Sequence, residues 1–329
     1  RAEINAATIL NQSKSVHQAE IDSAAELVDF YRFNAHYMTR IYAEQPGSAP
    51  GIWDRMDWRP LEGFVFAASP FNFTSIAGNL PGAPALMGNT VLWKPASSTV
   101  FSGWRVFELL REAGLPPGVI NFVPGSGGQV GEPAVNSPHL AGVHFTGSTD
   151  TFRDIWKTVG ERVGGYRCYP RIVGETGGKD FIVAHASADI PALATALVRG
   201  AFEYQGQKCS AASRAYIPAG IWPEVRGEML ERLQRVTVGD PADFGTFFGA
   251  VIDRPAYENI VGFIDHADRS EDAEIIAGGG RDDSKGWFIE PTVVLTTNPR
   301  HRLMEEEIFG PVLTIHVYPD GKWAETLQL

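Results

Sequence analysis

The residue whose type and setting most suggest chemistry is Cys209, in the run Q-G-Q-K-C-S-A after a helical segment. A cysteine attacks as its thiolate, and a glycine-containing turn presents both the sulfur and the neighbouring backbone N–H groups. Residue type alone favours a buried structural thiol. The flanking Gln, Lys and Ser argue the other way, because a core cysteine would sit in apolar periodicity. Cys168, in G-Y-R-C-Y-P, has no glycine turn or acid beside it and reads as structural. Glu175 stands in G-E-T-G-G-K, where glycines let backbone approach a ligand and a carboxylate can act as a general base. Taken alone, a solvated loop glutamate explains it better. Asn72, in S-P-F-N-F-T, can donate its amide N–H to a developing oxyanion or simply make a turn.

Two further runs suit an anion. F-T-G-S-T-D-T, residues 145–151, follows an apolar run and opens a helix, so free N–H groups, a helix dipole and hydroxyls converge there. G-S-G-G, residues 125–128, follows the preceding apolar run in the same way. Neither matches the G-x-G-x-x-G dinucleotide fingerprint, and an ordinary strand-to-helix turn explains each equally well. Lys94, in W-K-P, can hold a ribose hydroxyl or lie on the surface.

Elements that could position these residues alternate along the chain. Residues 23–42 read as an amphipathic helix with Leu27, Tyr31, Ala35, Met38 and Tyr42 on one face, and Ser23 with Glu26 has capping-box spacing. A Pro/Gly-rich loop follows at residues 46–51. Short apolar runs at 63–69, 90–93, 118–123 and 142–145 predict strands. Between them, residues 100–113 predict a helix stopped by Gly114. A second block predicts strands at 181–183 and 215–217 and helices at 190–204, 224–236 and 257–267. Strands alternating with helices imply α/β architecture with a parallel sheet, whose ligands bind at the carboxyl ends of the strands. The expected domains are residues 1–177, Rossmann-like and cofactor-binding with an N-terminal helical region, and residues 178–329, a second α/β domain carrying the nucleophile.

Composition bounds the function. The 329 residues are 44% hydrophobic and 20% charged, enough for a sizeable core, and the net charge of −11 argues against a nucleic-acid or anionic-membrane partner. Two cysteines do not make a disulfide framework, so a reducing compartment is expected. No apolar run is long enough to predict a membrane-spanning helix, and no metal is expected. The first residue is Arg1, so the N-terminus reads as processed or truncated.

In order, the motifs S-P-F-N-F, W-K-P-A-S, F-T-G-S-T, E-T-G-G-K, Q-G-Q-K-C-S and E-E-I-F-G-P resemble the aldehyde dehydrogenase superfamily. The runs F-N-F-T-S-I-A-G-N-L, H-F-T-G-S-T-D-T-F, G-E-T-G-G-K-D and F-E-Y-Q-G-Q-K-C-S-A-A-S-R are similar to its mitochondrial delta-1-pyrroline-5-carboxylate dehydrogenase branch. That resemblance implies NAD-dependent oxidation of L-glutamate γ-semialdehyde to L-glutamate in proline catabolism, in the mitochondrial matrix. It makes Cys209 the nucleophile, Glu175 the base, and Asn72 with the Cys209 backbone N–H the oxyanion donors. It assigns Ser69, Phe71, Lys94, Gly125, Gly147, Ser148, Thr149, Asp150, Thr151, Glu307 and Phe309 to NAD, and Ser210 and Phe73 to the substrate. Ser97 stands where many NAD-specific relatives carry a glutamate that would repel a 2′-phosphate. The resemblance also implies a fragment of a longer homo-oligomeric protein, a dimer or higher. The missing part would hold a second substrate-carboxylate loop, an aromatic residue of the aldehyde pocket and the oligomerisation flap. Rival readings are an aldehyde dehydrogenase for another semialdehyde or an aliphatic aldehyde, a non-catalytic structural or binding member of the fold, and a thiol hydrolase pairing Cys209 with one of the eight histidines.

Overall fold

The computed structural model describes all residues, 1–329, which form two compact units. The first comprises Arg1–Gln12 and His17–Thr176; the second comprises Ser13–Val16 and Gly177–Leu329.

In the first unit, helices α1 (Ala2–Gln12) and α2 (Glu26–Ala43) precede an alternating run. It consists of β1 (Phe64–Ala68), α3 (Thr74–Leu86), β2 (Thr90–Lys94), α4 (Val100–Glu112), β3 (Ile120–Phe122), β4 (Leu140–Thr146), α5 (Thr149–Glu161) and β5 (Arg171–Glu175). The strands form one sheet in the order β3-β2-β1-β4-β5, every neighbouring pair parallel. The order reverses between β1 and β4, so the crevice beyond their carboxyl ends is where a doubly wound sheet takes its ligand. Alternation sorts the side chains. Val65 and Ala67 pack with Ala77, Leu80 and Val106 of α3 and α4, while Phe66, Val143 and Phe145 pack with Val159 of α5.

Several expectations shift. The capping box at Ser23 is absent. Val16–Ala19 and a π-helical turn, Glu20–Ala25, run helically into α2, so Ser23 lies inside the turn and its hydroxyl donates to the Ala19 carbonyl. The expected buried face of α2 is covered mainly at its start: Leu27 is buried, Tyr31 and Met38 are half-buried, and Ala35 and Tyr42 are exposed. Gly114, at φ +98°, does end α4. Helix α3 forms despite Pro81 and Pro84. Pro84 has no N–H to give the Leu80 carbonyl, and the His144 ring of β4 lies 2.9 Å from that oxygen through Nδ1. A carbonyl can only accept, so Nδ1 carries the proton and supplies the missing donor.

The second unit contains β6 (Phe181–Val183), α6 (Ile190–Phe202), β7 (Arg214–Pro218), α7 (Trp222–Leu233) and α8 (Arg254–Arg269). It continues with β8 (Ala273–Ala277), the short hairpin β9 (Arg281–Asp282) and β10 (Phe288–Ile289), β11 (Thr292–Thr296) and β12 (Val312–Tyr318). Its main sheet runs β6-β7-β12-β11-β8, parallel except for the antiparallel edge β8. One face packs Ala215, Ile217, Leu313 and Ile315 against Leu197, Val225 and Met229 of α6 and α7; the other packs Val294 and Val312 against Ile260 and Phe263 of α8. No helix is long and apolar enough to cross a membrane.

Candidate active site

In the first unit the candidate residues gather at the carboxyl ends of the strands. Beyond β1, the Ser69 N–H donates to the Lys94 carbonyl, and the Ser69 hydroxyl accepts from the buried Trp93 indole at 3.0 Å. Phe71, Asn72 and Phe73 follow, with Phe73 in extended backbone at the start of α3. Asn72 is 4% exposed, so its amide lies out of bulk water. Lys94 ends β2, and its Nζ donates to the Pro95 carbonyl at 3.1 Å, which leaves two of its N–H groups for a ligand. Burial pulls this ammonium below the usual lysine range.

Beyond β3, Gly125 is held against Val130, 2.7 Å from where a Cβ would sit. The following turn is capped by Ser126 and not by a glycine. Its hydroxyl accepts from the Gln129 N–H, and the Gln129 side chain accepts from the Ser126 N–H. The Ser97 hydroxyl donates to the Gly125 carbonyl. Beyond β4, Gly147 packs on the Phe145 ring, and Ser148 caps α5 by accepting the Thr151 N–H. Thr149, Asp150 and Thr151 form the first helical turn, with Asp150 exposed and paired to Arg153 at 3.3 Å. An ammonium, a capped helix start and hydroxyls at the carboxyl edge of one sheet suit a diphosphate and ribose.

Glu175 is the last residue of β5 and no loop residue, paired in register with Thr146. A Cβ on Gly174 would sit 2.1 Å from the Phe152 ring of α5, so Gly174 faces α5 and Glu175 faces the opposite side, with α3. His144, on that same face, is bonded to α3 and feels the Glu175 charge. Asn72, just ahead of α3, and Glu175 therefore belong to the same end and face of this sheet. Between them, sequence reasoning missed Thr146, whose hydroxyl is buried without a hydrogen-bond partner. Its place beside Glu175 in the register is the signal that structure adds.

In the second unit, α6 and Glu203 are followed by three successive left-handed residues, Tyr204 (φ 53°), Gln205 (φ 54°) and Gly206 (φ 65°). Each non-glycine there costs on the order of 1–2 kcal/mol of backbone strain. Gly206 is required by space as well: a Cβ would lie 2.3 Å from the Gly310 carbonyl. Tyr204 through Gln207 are buried, and the chain then rises to a turn closed by the Ala211 N–H on the Lys208 carbonyl. Cys209 is half-buried on that turn, Ser210 is exposed, and neither cysteine is in a disulfide.

Within this unit, Gly177 and Gly178 lie against Glu307 and this turn. A Cβ on Gly178 would lie 3.0 Å from the Cys209 carbonyl oxygen, and one on Gly177 would overlap the Glu307 carboxylate. Glu307 accepts the Gly178 N–H at 2.9 Å, and partial burial raises its carboxyl above the usual range. Phe309 is half-buried, with a left-handed φ of 55°. Sequence reasoning also missed Lys179. Its Nζ donates to Ser213 at 2.7 Å; burial, with Arg214 beside it, lowers its pKa to about 7, against the opposing pull of Glu307 and Glu306. No group of His, Cys, Asp and Glu side chains is arranged to hold a metal ion.

The profile of the aldehyde dehydrogenase family matches residues 1–326. The chain is 54% identical over 332 aligned residues to the mitochondrial delta-1-pyrroline-5-carboxylate dehydrogenase of Dictyostelium discoideum, which covers all of this chain and 60% of that protein. It is 52% identical over 330 residues to the enzyme of the same name from Homo sapiens, covering all of this chain and 59% of that protein. Among solved structures, the delta-pyrroline-5-carboxylate dehydrogenase from Mycobacterium tuberculosis bound with NAD superposes with a TM-score of 0.94 at 52% identity, over 99% of this chain and 59% of that one. The 1-pyrroline-5-carboxylate dehydrogenase from Thermus with bound NAD gives 0.90 at 33%, over 99% and 62%. The chain thus spans about 60% of the length of these relatives.

Proposed function

Since the chain belongs to the aldehyde dehydrogenase family and has its fold, we propose that the protein containing it oxidises L-glutamate γ-semialdehyde to L-glutamate, with NAD, in proline catabolism. The semialdehyde is in equilibrium with 1-pyrroline-5-carboxylate. One observation carries the reading. Cys209 is held half-buried on a turn that follows three left-handed residues, with backbone packed at its carbonyl, in a chain about half identical to enzymes named for this substrate.

The residues present fit the cofactor. Lys94, with donors to spare, the Ser148-capped start of α5 and the orphaned Thr146 hydroxyl lie at the strand ends around the topological switch. We assign Ser69, Phe71, Lys94, Gly125, Gly147, Ser148, Thr149, Asp150 and Thr151 to the adenosine and diphosphate, and Glu307 and Phe309 to the nicotinamide ribose. Ser69 acts chiefly by fixing Trp93 and Lys94, and Asp150 by its place in the cap. When bound, NAD supplies the hydride acceptor. Ser97 presents no carboxylate against a 2′-phosphate, so the choice of NAD rests on the relatives.

The Cys209 thiolate forms a C–S bond to the aldehyde carbon, and the carbonyl oxygen takes the negative charge. The Asn72 amide and the Cys209 N–H donate to that oxygen; losing one such donor typically costs on the order of 10²–10³ in rate. After oxidation the carbon is a thioester. Glu175 takes a proton from water as the water oxygen attacks, and the C–S bond breaks to return the thiolate and release the acid. Ser210, exposed beside the nucleophile, hydrogen-bonds the substrate α-carboxylate, and Phe73 packs on its aliphatic chain. We extend the proposal to a homo-oligomer, dimer or higher, in the mitochondrial matrix; most of the curated relatives are named mitochondrial.

NADH formation from glutamate semialdehyde by the full-length protein tests the reading. Activity that vanishes in Cys209→Ala supports it; equal activity in the variant removes Cys209 from the mechanism, and preference for an unrelated aldehyde removes the substrate.

A further inference from the structure

We infer that Lys14 is a positioning residue for Cys209, and that Ser13–Lys14 braces the left-handed run on which the nucleophile stands. The inference rests on reading Cys209 as the nucleophile. Lys14 belongs to the tetrapeptide that packs with the second unit, and it is 0% exposed. A lysine is almost never buried so completely unless its charge is accommodated. Its Nζ lies 4.4 Å from the centroid of the Tyr204 ring, a cation over an aromatic face with water excluded, and Tyr204 is likewise 0% exposed.

The neighbouring residues complete the brace. The Gln205 amide donates to two carbonyls, Ser13 at 3.1 Å and Ala250 at 2.7 Å, so the orientation of its amide is fixed by chemistry. Gln207 accepts from the Ile252 N–H at 2.9 Å. A Cβ on Gly249 would sit 2.3 Å from the Ser13 hydroxyl, so the tetrapeptide is seated tightly on this segment. Tyr204 and Gln205 hold a backbone conformation that L-residues avoid, and such conformations persist where surrounding structure over-determines them. Lys14 and Ser13 are two of those determinants. Cys209 follows Gly206 by three residues, so relaxation of the run moves the sulfur.

The test uses full-length protein. The rate constant for iodoacetamide alkylation at Cys209 is read by peptide mass mapping, beside kcat and KM. Lys14→Met should slow alkylation and lower kcat by about tenfold each with KM nearly unchanged, since misplacement approaching 1 Å costs up to about 10² in rate. Lys14→Arg, which keeps a cation over the ring, should recover most of both. Tyr204→Leu, which removes the ring and leaves the lysine, should reproduce the losses and serves where Lys14→Met fails to fold. Wild-type alkylation and kcat in either folded variant, or an arginine variant no better than methionine, overturns the brace. Loss of the functional reading is seen separately, as activity surviving Cys209→Ala, and leaves the alkylation comparison intact.

Discussion

Replacing Gly206 with alanine tests whether backbone contact behind the nucleophile turn sets its position. The φ of +65° is not the main obstacle, because Tyr204 and Gln205 already adopt this conformation; alanine there costs on the order of 1–2 kcal/mol. The added methyl is the greater problem. It would lie 2.3 Å from the Gly310 carbonyl oxygen and 2.9 Å from that of Ala201. Both are backbone atoms, one at the end of α6 and one beside Ile260 of the core, so neither swings aside as a side-chain tip would. Relief to ordinary contact requires an opening of about 1 Å, and overpacking of this kind costs roughly 1–3 kcal/mol. Together the two terms give about 2–5 kcal/mol, which at 2–4 °C per kcal/mol is a melting point lower by roughly 4–20 °C. The turn carrying Cys209 moves with Gly206, so kcat should fall by up to about 10². Thermal melts and steady-state NADH formation on the full-length variant measure both. A variant that melts with the wild type and turns over at its rate would show that the Gly206–Gly310 approach constrains nothing.

Asn72→Ala should lower kcat/KM for the aldehyde by about 10²–10³ while leaving NAD affinity nearly unchanged, and an effect confined to NAD binding would strip Asn72 of its oxyanion role. Burial depresses the His144 pKa, so the unfolded chain binds the proton more readily and stability falls as pH drops below the ordinary histidine value of about 6.5. His144→Asn keeps a donor for the Leu80 carbonyl and should flatten that acid slope; melting curves from pH 7 to 5 that superpose with the wild type would refute it. The Lys179 pKa of about 7 lies below its unfolded value, so wild-type stability should climb relative to Lys179→Met as pH rises from about 7 towards 10. A difference between the two that stays flat across that window contradicts a neutral amine in the fold.

What the sequence disclosed and what it hid follow from range. The strand, turn and helix at F-T-G-S-T-D-T are local, and so is the Gly114 stop; both appear where pattern and turn chemistry place them. Helix α3 is hard to see locally because Pro81 and Pro84 oppose a helix interior. The donor that repairs its ladder, His144, comes from 64 residues away. The Ser23–Glu26 spacing misled because helical residues precede it, which removes the orphan N–H groups that a cap would serve. The short run R-I-V-G-E of β5 is a strand because β4 offers it a ladder. Lys179 carried a visible signal in G-G-K, but its lowered pKa comes from burial that the fold creates and then from Arg214. The tetrapeptide Ser13–Val16 gave no sign that it packs with the second unit.

The placement of Glu175, the base we propose, shows how the facing of a side chain can be specified by the residue before it. Side chains along a strand alternate faces, so slipping β5 by one residue would turn Glu175 towards α5 and away from α3. Gly174 blocks that slip. At its present register the Phe152 ring occupies the space a side chain would need, so only glycine can face α5 there. A one-residue shift would drive either Val173 or Glu175 into the ring. The glycine before the glutamate in G-E-T-G-G-K is therefore a register lock, while the two after it admit the Glu307 carboxylate and the Cys209 carbonyl. The sequence reads these glycines as room for backbone to approach a ligand; in the fold each is an empty side-chain volume, set against Phe152, Glu307 or the Cys209 carbonyl.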